Sequence, residues 1–303
     1  MHKLWIKQMR INVDFLIKKY YLYNYKKNKM SETKKTTTTT VTTTVIEEII
    51  PETKKLVETH YLLILDKSGS MGSLRQETIN NFNEQVQTIK KLEATYPDQK
   101  YFISLITFSD SMEEVMIDIP ASEVKELTLE DYVTGGMTAL FHAMGQGISK
   151  LKDKMTALMM DSSKIVSSVI VIMTDGEENH SFFFFFKWTS DRLKPMIESL
   201  NKDERWTISF LGANQDAILT SSQIGINVGN TLNYKSTSKG SKMAGQAMST
   251  TLMSRAKNIA SGSSALVGGT VDNSVYFSSV LDSTTLGEDE DLNLKDNLDN
   301  QSK

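Results

Sequence analysis

Two short runs of apolar residues constrain the fold of this 303-residue chain more than any other feature. Residues 61–65 read Tyr-Leu-Leu-Ile-Leu, and residues 168–173 read Ser-Val-Ile-Val-Ile-Met. Continuous runs of this length suit strands that are buried on both faces of a parallel sheet. Each run is followed by a polar turn and then, further along, by a helical pattern.

The rest of the central region also alternates between strand and helix patterns. In the stretch 74–92, Ile79, Phe82, Val86 and Ile89 recur at helical spacing and predict one buried stripe. The other predicted elements are strands at 101–108, 114–119 and 206–211, of which the first two can pair as a hairpin, and helices at 139–151, 191–200 and 215–223. Repeated strand–helix units predict an α/β fold, with a Rossmann-like open, mostly parallel sheet and helices on both faces.

The composition changes sharply towards both ends of the chain. Residues 1–35 hold ten Lys and Arg against two Asp and Glu, and residues 36–44 are almost all Thr. We expect four regions: a disordered basic leader and Thr-rich low-complexity linker at 1–57, a folded domain at 58–235, a helical and strand extension at 236–280, and an acidic disordered tail at 281–303.

The net charge, the apolar stretches and the cysteine content limit which partners and which cellular compartment we expect. The net charge of -3 favours neither nucleic acid nor a membrane surface as the main partner. No uninterrupted apolar stretch approaches the roughly 18 residues of a spanning helix, although the basic leader could lie on a membrane as a helix. The chain has no cysteine, which excludes disulfides and thiolate metal sites and fits the cytoplasmic location that we expect.

Three turns at the expected edge of the sheet carry side-chain oxygens. The candidate residues are Asp66, Ser68 and Ser70 after the first apolar run, Thr138 after two glycines, and Asp175 after the second run. In open α/β sheets, ligands bind beyond the carboxyl ends of the strands. Carboxylate and hydroxyl oxygens without His or Cys are what a hard cation prefers, so the five residues predict a site for Mg²⁺, with Mn²⁺ as an accepted substitute.

The same residues resemble the metal-ion-dependent adhesion site of von Willebrand factor A domains. The resemblance covers roughly residues 58–235 and includes Gly-Gly-Met-Thr-Ala-Leu at 135–140 and Phe-Leu-Gly-Ala-Asn at 210–214. It implies that both serines and the threonine reach the metal, and that the two aspartates bind it directly or through water. It also implies a protein-binding module, not an enzyme, in which an Asp or Glu of a partner protein completes the metal shell.

The alternative is a Mg²⁺-dependent hydrolase or phosphatase-like enzyme that uses the same Asp and Ser cluster. Asp66 would then be the nucleophile of an Asp-x-Asp type, but Ser68 occupies the position of the second carboxylate. There is no phosphate-binding G-x-x-x-x-G-K-[ST] loop, and no G-x-S-x-G elbow accompanies the four histidines.

Some residues around these turns have competing interpretations. The five phenylalanines at 182–186 are either an exposed apolar patch that marks a partner site or, as we favour, an insertion whose rings pack back on the domain. Glu177 and Glu178 favour a solvated helix start or loop, although either could shape the rim of the site, and Met71 favours a place in the core.

Overall fold

The computed structural model describes residues 55–183, 188–213, 217–272 and 276–277. The predicted leader and linker, apart from residues 55–57, and the acidic tail lie outside these residues. The four predicted regions therefore stay predictions.

Six strands form one sheet in the order β3-β2-β1-β4-β5-β6. All neighbours pair in parallel except β2 and β3, which form the predicted antiparallel pair. The strands are β1 Leu56–Asp66, β2 Gln99–Phe108, β3 Met112–Pro120, β4 Lys164–Thr174, β5 Trp206–Ala213 and β6 Thr231–Tyr234. Because β1 and β4 are central and covered on both faces, nearly every residue along them is buried, which explains their unbroken apolar sequences.

Helices cover both faces of the sheet. They are α1 Arg75–Thr95, α2 Leu140–Leu158, α3 Ser190–Leu200, α4 Ala217–Gln223 and α5 Ser238–Ala260. One hydrophobic cluster joins α1 and α5 to the face that includes Leu63 and Val171, and a second joins α2, α3 and α4 to the face that includes Leu62 and Ile170. The predicted Rossmann-like α/β fold is confirmed.

The predicted stripe on α1 is confirmed, since Ile79, Phe82, Val86 and Ile89 are all buried, and Met71 is buried as expected. Strand β6 was not predicted, because four residues are too short for a strand pattern to stand out. Past α5, the expected edge strand is absent from the described residues, which show a short 3-10 turn at Ala265–Val267 instead. Within the described part of the chain, no helix is both long and apolar enough to span a bilayer.

Candidate metal centre

Asp66 is the last residue of β1, and its carboxylate is fully buried at the carboxyl edge of the sheet. Its Oδ1 accepts a hydrogen bond from the backbone N–H of Ser68 at 2.7 Å, which shapes the turn that follows. Its Oδ2 accepts one from the hydroxyl of Thr174, at the end of β4, at 2.6 Å. Because these bonds join two neighbouring strands, the carboxylate is held in one orientation.

The two serines connect Asp66 to the second aspartate. The hydroxyls of Ser68 and Ser70 lie 3.1 Å apart, and the Ser70 hydroxyl donates to Asp175 Oδ1 at 2.7 Å. Ser68 is buried, whereas Ser70 is exposed. The four residues therefore form a continuous chain of oxygens from the sheet to the surface.

Thr138 reaches the same point from a third turn, two residues before α2 begins at Leu140. A Cβ placed on Gly176 would lie 3.2 Å from the Thr138 hydroxyl and 3.6 Å from the Ser70 hydroxyl, so both border this glycine. Thr138 is fixed by Asn179, whose Oδ1 accepts from the Thr138 N–H at 2.8 Å and whose own N–H donates to the Thr138 carbonyl at 3.1 Å. The structure thus brings together all five residues that the sequence singled out.

The two aspartates lie in an environment that disfavours their charge. Burial raises the pKa of Asp66 to about 6, even though hydrogen bonds from Thr174 and Ser68 lower it, and the nearby Asp175 raises it further. Burial also raises the pKa of Asp175, against a hydrogen bond from Ser70. A cation placed between these oxygens would counter this effect, because an opposite charge nearby favours the ionised form of a carboxyl group.

Backbone hydrogen bonds tie the first turn to the Thr138 turn. The N–H of Gly69 donates to the carbonyl of Gly136 at 3.1 Å, and the N–H of Gly135 donates to the carbonyl of Lys67 at 2.8 Å. Gly136 has a φ of 79°, and a Cβ there would come within 2.5 Å of the Asp110 carboxylate. Only glycine fits this position without strain, which accounts for the second of the two glycines.

Several residues that support the site were not predicted as part of it. Thr174 holds Asp66, Asn179 holds Thr138, and Asp110 accepts from the N–H of Met137 at 2.7 Å. Tyr132 donates its hydroxyl to the carbonyl of Asp66 from a loop with no recognisable motif. Asn179 and Thr174 do flank the Asp175 motif, and their proximity to it was the one available signal.

Glu178 is partly buried and hydrogen-bonded, so the favoured interpretation of a solvated side chain is wrong for this residue. Its Oε2 accepts from the N–H of Phe141 at 2.6 Å, in the first turn of α2, and from the hydroxyl of Ser181 at 2.7 Å. Its Oε1 accepts from the N–H groups of His180 and Ser181. Glu178 therefore joins the Asp175 loop to the start of α2, where a negative charge also favours the helix dipole.

Large apolar side chains lie exposed on the loops around the centre. Val133 and Met137, on the turn that leads to Thr138, are 61% and 47% exposed, and Phe182 is 55% exposed. Residues 184–186 of the phenylalanine run lie outside the described residues. The expectation that the run packs back on the domain is wrong for Phe182 and stays a prediction for the rest.

The donor set has few anions for a metal centre. Among the described residues, no cluster of three or more His, Cys, Asp or Glu side chains could hold a metal. The oxygens at this edge are two carboxylates and three hydroxyls, which suits a hard cation that keeps some of its water. The residues present therefore fit Mg²⁺ or Mn²⁺ better than a soft metal.

Comparison with known proteins finds similar solved structures and one matching family model. Solved structures similar to the chain include the ArnB paralog VWA2 from Sulfolobus acidocaldarius, with 18% identity and a TM-score of 0.42 over 64% of this chain and 46% of that one. A von Willebrand factor type A protein from Catenulispora acidiphila has 15% identity and a TM-score of 0.44 over 65% and 43%. Proximal thread matrix protein 1 from the mussel byssus, with a zinc-occupied MIDAS motif, has 14% identity and a TM-score of 0.38 over 62% and 46%.

The chain thus spans under half the length of these three proteins. A search of curated proteins finds no match. The model of the von Willebrand factor type A domain matches residues 62–247, which is more than half of the sequence. The chain therefore belongs to the von Willebrand factor type A domain family.

Proposed function

We propose that this chain is a metal-dependent protein-binding module. Asp66, Ser68, Ser70, Thr138 and Asp175 hold a Mg²⁺ ion, for which Mn²⁺ can substitute, and an Asp or Glu of a partner protein binds to it. One observation carries the proposal. The side-chain oxygens of these five residues, from three separate turns, lie together around Gly176, next to Asp175.

The charge of the site supports a cation. The charge of Asp175 disfavours ionisation of Asp66, and no Lys or Arg side chain is hydrogen-bonded to either aspartate within the described ranges. The one lysine in the turn, Lys67, pairs with Glu113 instead. Domains of this family can bind a divalent metal, which supplies a positive charge at such a site.

The same count of charges supports a carboxylate of the partner as a further ligand of the metal. Two aspartates leave a bound dication short of strong anionic ligands, so an incoming carboxylate meets an attractive field. Ser70 is exposed, and the loops that carry the site lie at the edge of the sheet, which gives such a ligand access. We propose a protein partner and a binding role in the cytoplasm, without catalysis, since Ser68 stands where a phosphatase would need a second carboxylate.

Metal binding is tested by calorimetric titration of the full chain with MnCl₂ and MgCl₂. We expect one Mn²⁺ per chain, loss of binding in Asp66→Asn, and retention in Asp161→Asn. Asp161 is a matched control because it is an exposed aspartate whose carboxylate accepts hydrogen bonds from Ser163, away from the candidate centre. Folded wild-type protein that takes up no Mn²⁺ would overturn the proposal.

Partner binding is tested with a displayed library of random peptides selected in Mg²⁺ and eluted with EDTA. We expect enrichment of peptides with an Asp or Glu whose change to Asn or Gln abolishes binding. Thr138→Ala should weaken peptide binding more than Mn²⁺ binding, because Thr138 precedes a separate helix, and Thr138→Ser should restore both. Peptides retained equally in EDTA would show that the metal is not the point of contact.

The alternative enzyme function is tested with a generic phosphate ester and Mg²⁺. Hydrolysis by the wild type that is lost in Asp66→Asn would favour an enzyme over a binding module.

A further inference from the structure

Arg255 places a positive charge inside the domain, far from the candidate metal centre. The side chain extends from α5 and is 4% exposed. Its Nη2 donates to the hydroxyl of Ser167 on β4 at 3.1 Å, and Ser167 pairs with Thr59 on β1. Thr59 precedes Asp66 by seven residues along that strand, so the two charged groups are separated by about 23 Å.

The guanidinium is only partly satisfied. Its Nε and Nη1 are buried and have no hydrogen-bond partner in the described parts of the chain. The hydroxyl of Thr251, one helical turn earlier on α5, is also buried and without a partner in those parts. Such groups are rare in folded proteins, and each requires an explanation.

The neighbouring groups do not neutralise this charge. Among the described residues, the ionisable side chains that act on Arg255 are those of Tyr101 and Tyr276. Burial raises the pKa of Tyr276 to about 12 and that of Tyr101 higher still, so both rings are neutral at physiological pH. Glu93 lies beside Tyr101, but its carboxylate accepts from the Tyr101 N–H at 2.8 Å.

Burial also lowers the pKa of Arg255, yet a guanidinium stays protonated in proteins. Internal water could accept hydrogen bonds from Nε and Nη1, but water brings no negative charge. A buried charge that lacks a counterion is strongly unfavourable. The missing component is therefore an anion with acceptor atoms.

We propose that Arg255 forms a buried site for a small monovalent anion, chloride or a carboxylate. Nε and Nη1 are adjacent donors in a rigid planar group, which is the arrangement that binds a carboxylate through two parallel hydrogen bonds. The hydroxyl of Thr251 supplies a further donor. The anion comes from solution.

The test is thermal unfolding of full-length protein. Sodium gluconate, whose anion is much larger, is the reference salt and is replaced by sodium chloride or formate at constant ionic strength. For an anion from solution, the melting temperature of the wild type rises, and Arg255→Met loses the rise. Arg205→Met keeps it, because Arg205 is an exposed arginine already paired with Asp203.

A second measurement covers the case in which Arg255→Met does not fold. The chloride NMR signal should broaden in the presence of the wild type, and Arg255→Lys should reduce that broadening. The proposal is wrong if neither the melting temperature nor the chloride signal shows a response that depends on Arg255.

Discussion

The carboxyl and amino edges of this one sheet bury opposite charges. At the carboxyl edge, Asp66 and Asp175 are two anions on loops that include the exposed Ser70. At the amino edge, Arg255 is a cation enclosed beneath α5, and its described neighbours supply no carboxylate. The first arrangement leaves room for an exchangeable ion and a partner, whereas the second suits an occupant that stays in place.

A third charged group at the amino edge shows how the chain can neutralise itself. On the other face of the sheet, His60 Nδ1 lies 2.6 Å from Asp118 Oδ1, and Lys154 of α2 pairs with the other oxygen of Asp118. His60 also stacks on Phe102, with ring centroids 5.0 Å apart. Asp118 is thus a partly buried charge that has its counterions in the chain, whereas Asp66 and Arg255 have none among the described residues.

The largest expected effect is the gain in the free energy of unfolding on Mn²⁺ binding, which should depend on the carboxyl edge and not on the amino edge. Saturating Mn²⁺ should stabilise the wild type by about 2.7 kcal/mol when its concentration is 100 times the dissociation constant. Asp66→Asn should lose this gain because it removes an anion without changing the side-chain volume, whereas Arg255→Met should retain it. Urea unfolding with and without Mn²⁺ measures both. A reduced Mn²⁺ effect in Arg255→Met would mean that the two edges are coupled, contrary to the comparison.

The second prediction concerns the backbone of the carboxyl edge. Gly136→Ala should destabilise the domain by about 1–3 kcal/mol, because it places a Cβ at positive φ and against the Asp110 carboxylate. Gly135→Ala is the matched control, since a Cβ there meets nothing within 4 Å. Urea unfolding of both variants gives the difference. Equal effects would show that the turn tolerates a side chain at both glycines.

Sequence reasoning found the carboxyl edge because its signals are local. Each candidate residue lies within a few positions of a strand end or a helix start, and the chain order of Asp66, Thr138 and Asp175 reproduces a family pattern. The parallel sheet then brings these turns to one edge. Nothing in the sequence indicates the contact between Tyr132 and Asp66, since it depends on how a long loop folds.

The amino edge could not be found in this way. Arg255 meets Ser167 across 88 positions of sequence, and it lies on α5, in a region for which the sequence predicted only a helical and strand extension. His60 and Asp118 are 58 positions apart and lie on strands that are not neighbours in the sheet. Predicting such contacts requires the register of the sheet, and short apolar runs do not specify that register.

The smallest expected effect tests the self-neutralised group at the amino edge. Burial alone would raise the pKa of Asp118, but hydrogen bonds and charge from His60 and Lys154 outweigh it and hold the pKa below its ordinary value. A carboxyl whose pKa falls on folding contributes stability above its unfolded pKa, near 3.8, and loses it as the pH drops through the folded value. Asp118→Asn should therefore cost about 1 kcal/mol at pH 7, since partial exposure screens the pair, and the cost should shrink below pH of about 4.

Asn is the appropriate substitution because Asp118 has a φ of 55°, a conformation that Asn accepts almost as readily as Asp. Glu114→Gln is the control: Glu114 also lies on β3 and pairs with Lys150, but that pair is exposed and is worth no more than about 0.5 kcal/mol. Urea unfolding between pH 7 and pH 3.5 compares the two variants with the wild type. A cost in Asp118→Asn that stays constant over this range would mean that Asp118 acts through shape and not through charge. The amino edge would then contain one buried charge that matters, Arg255, and the contrast with the carboxyl edge would become sharper.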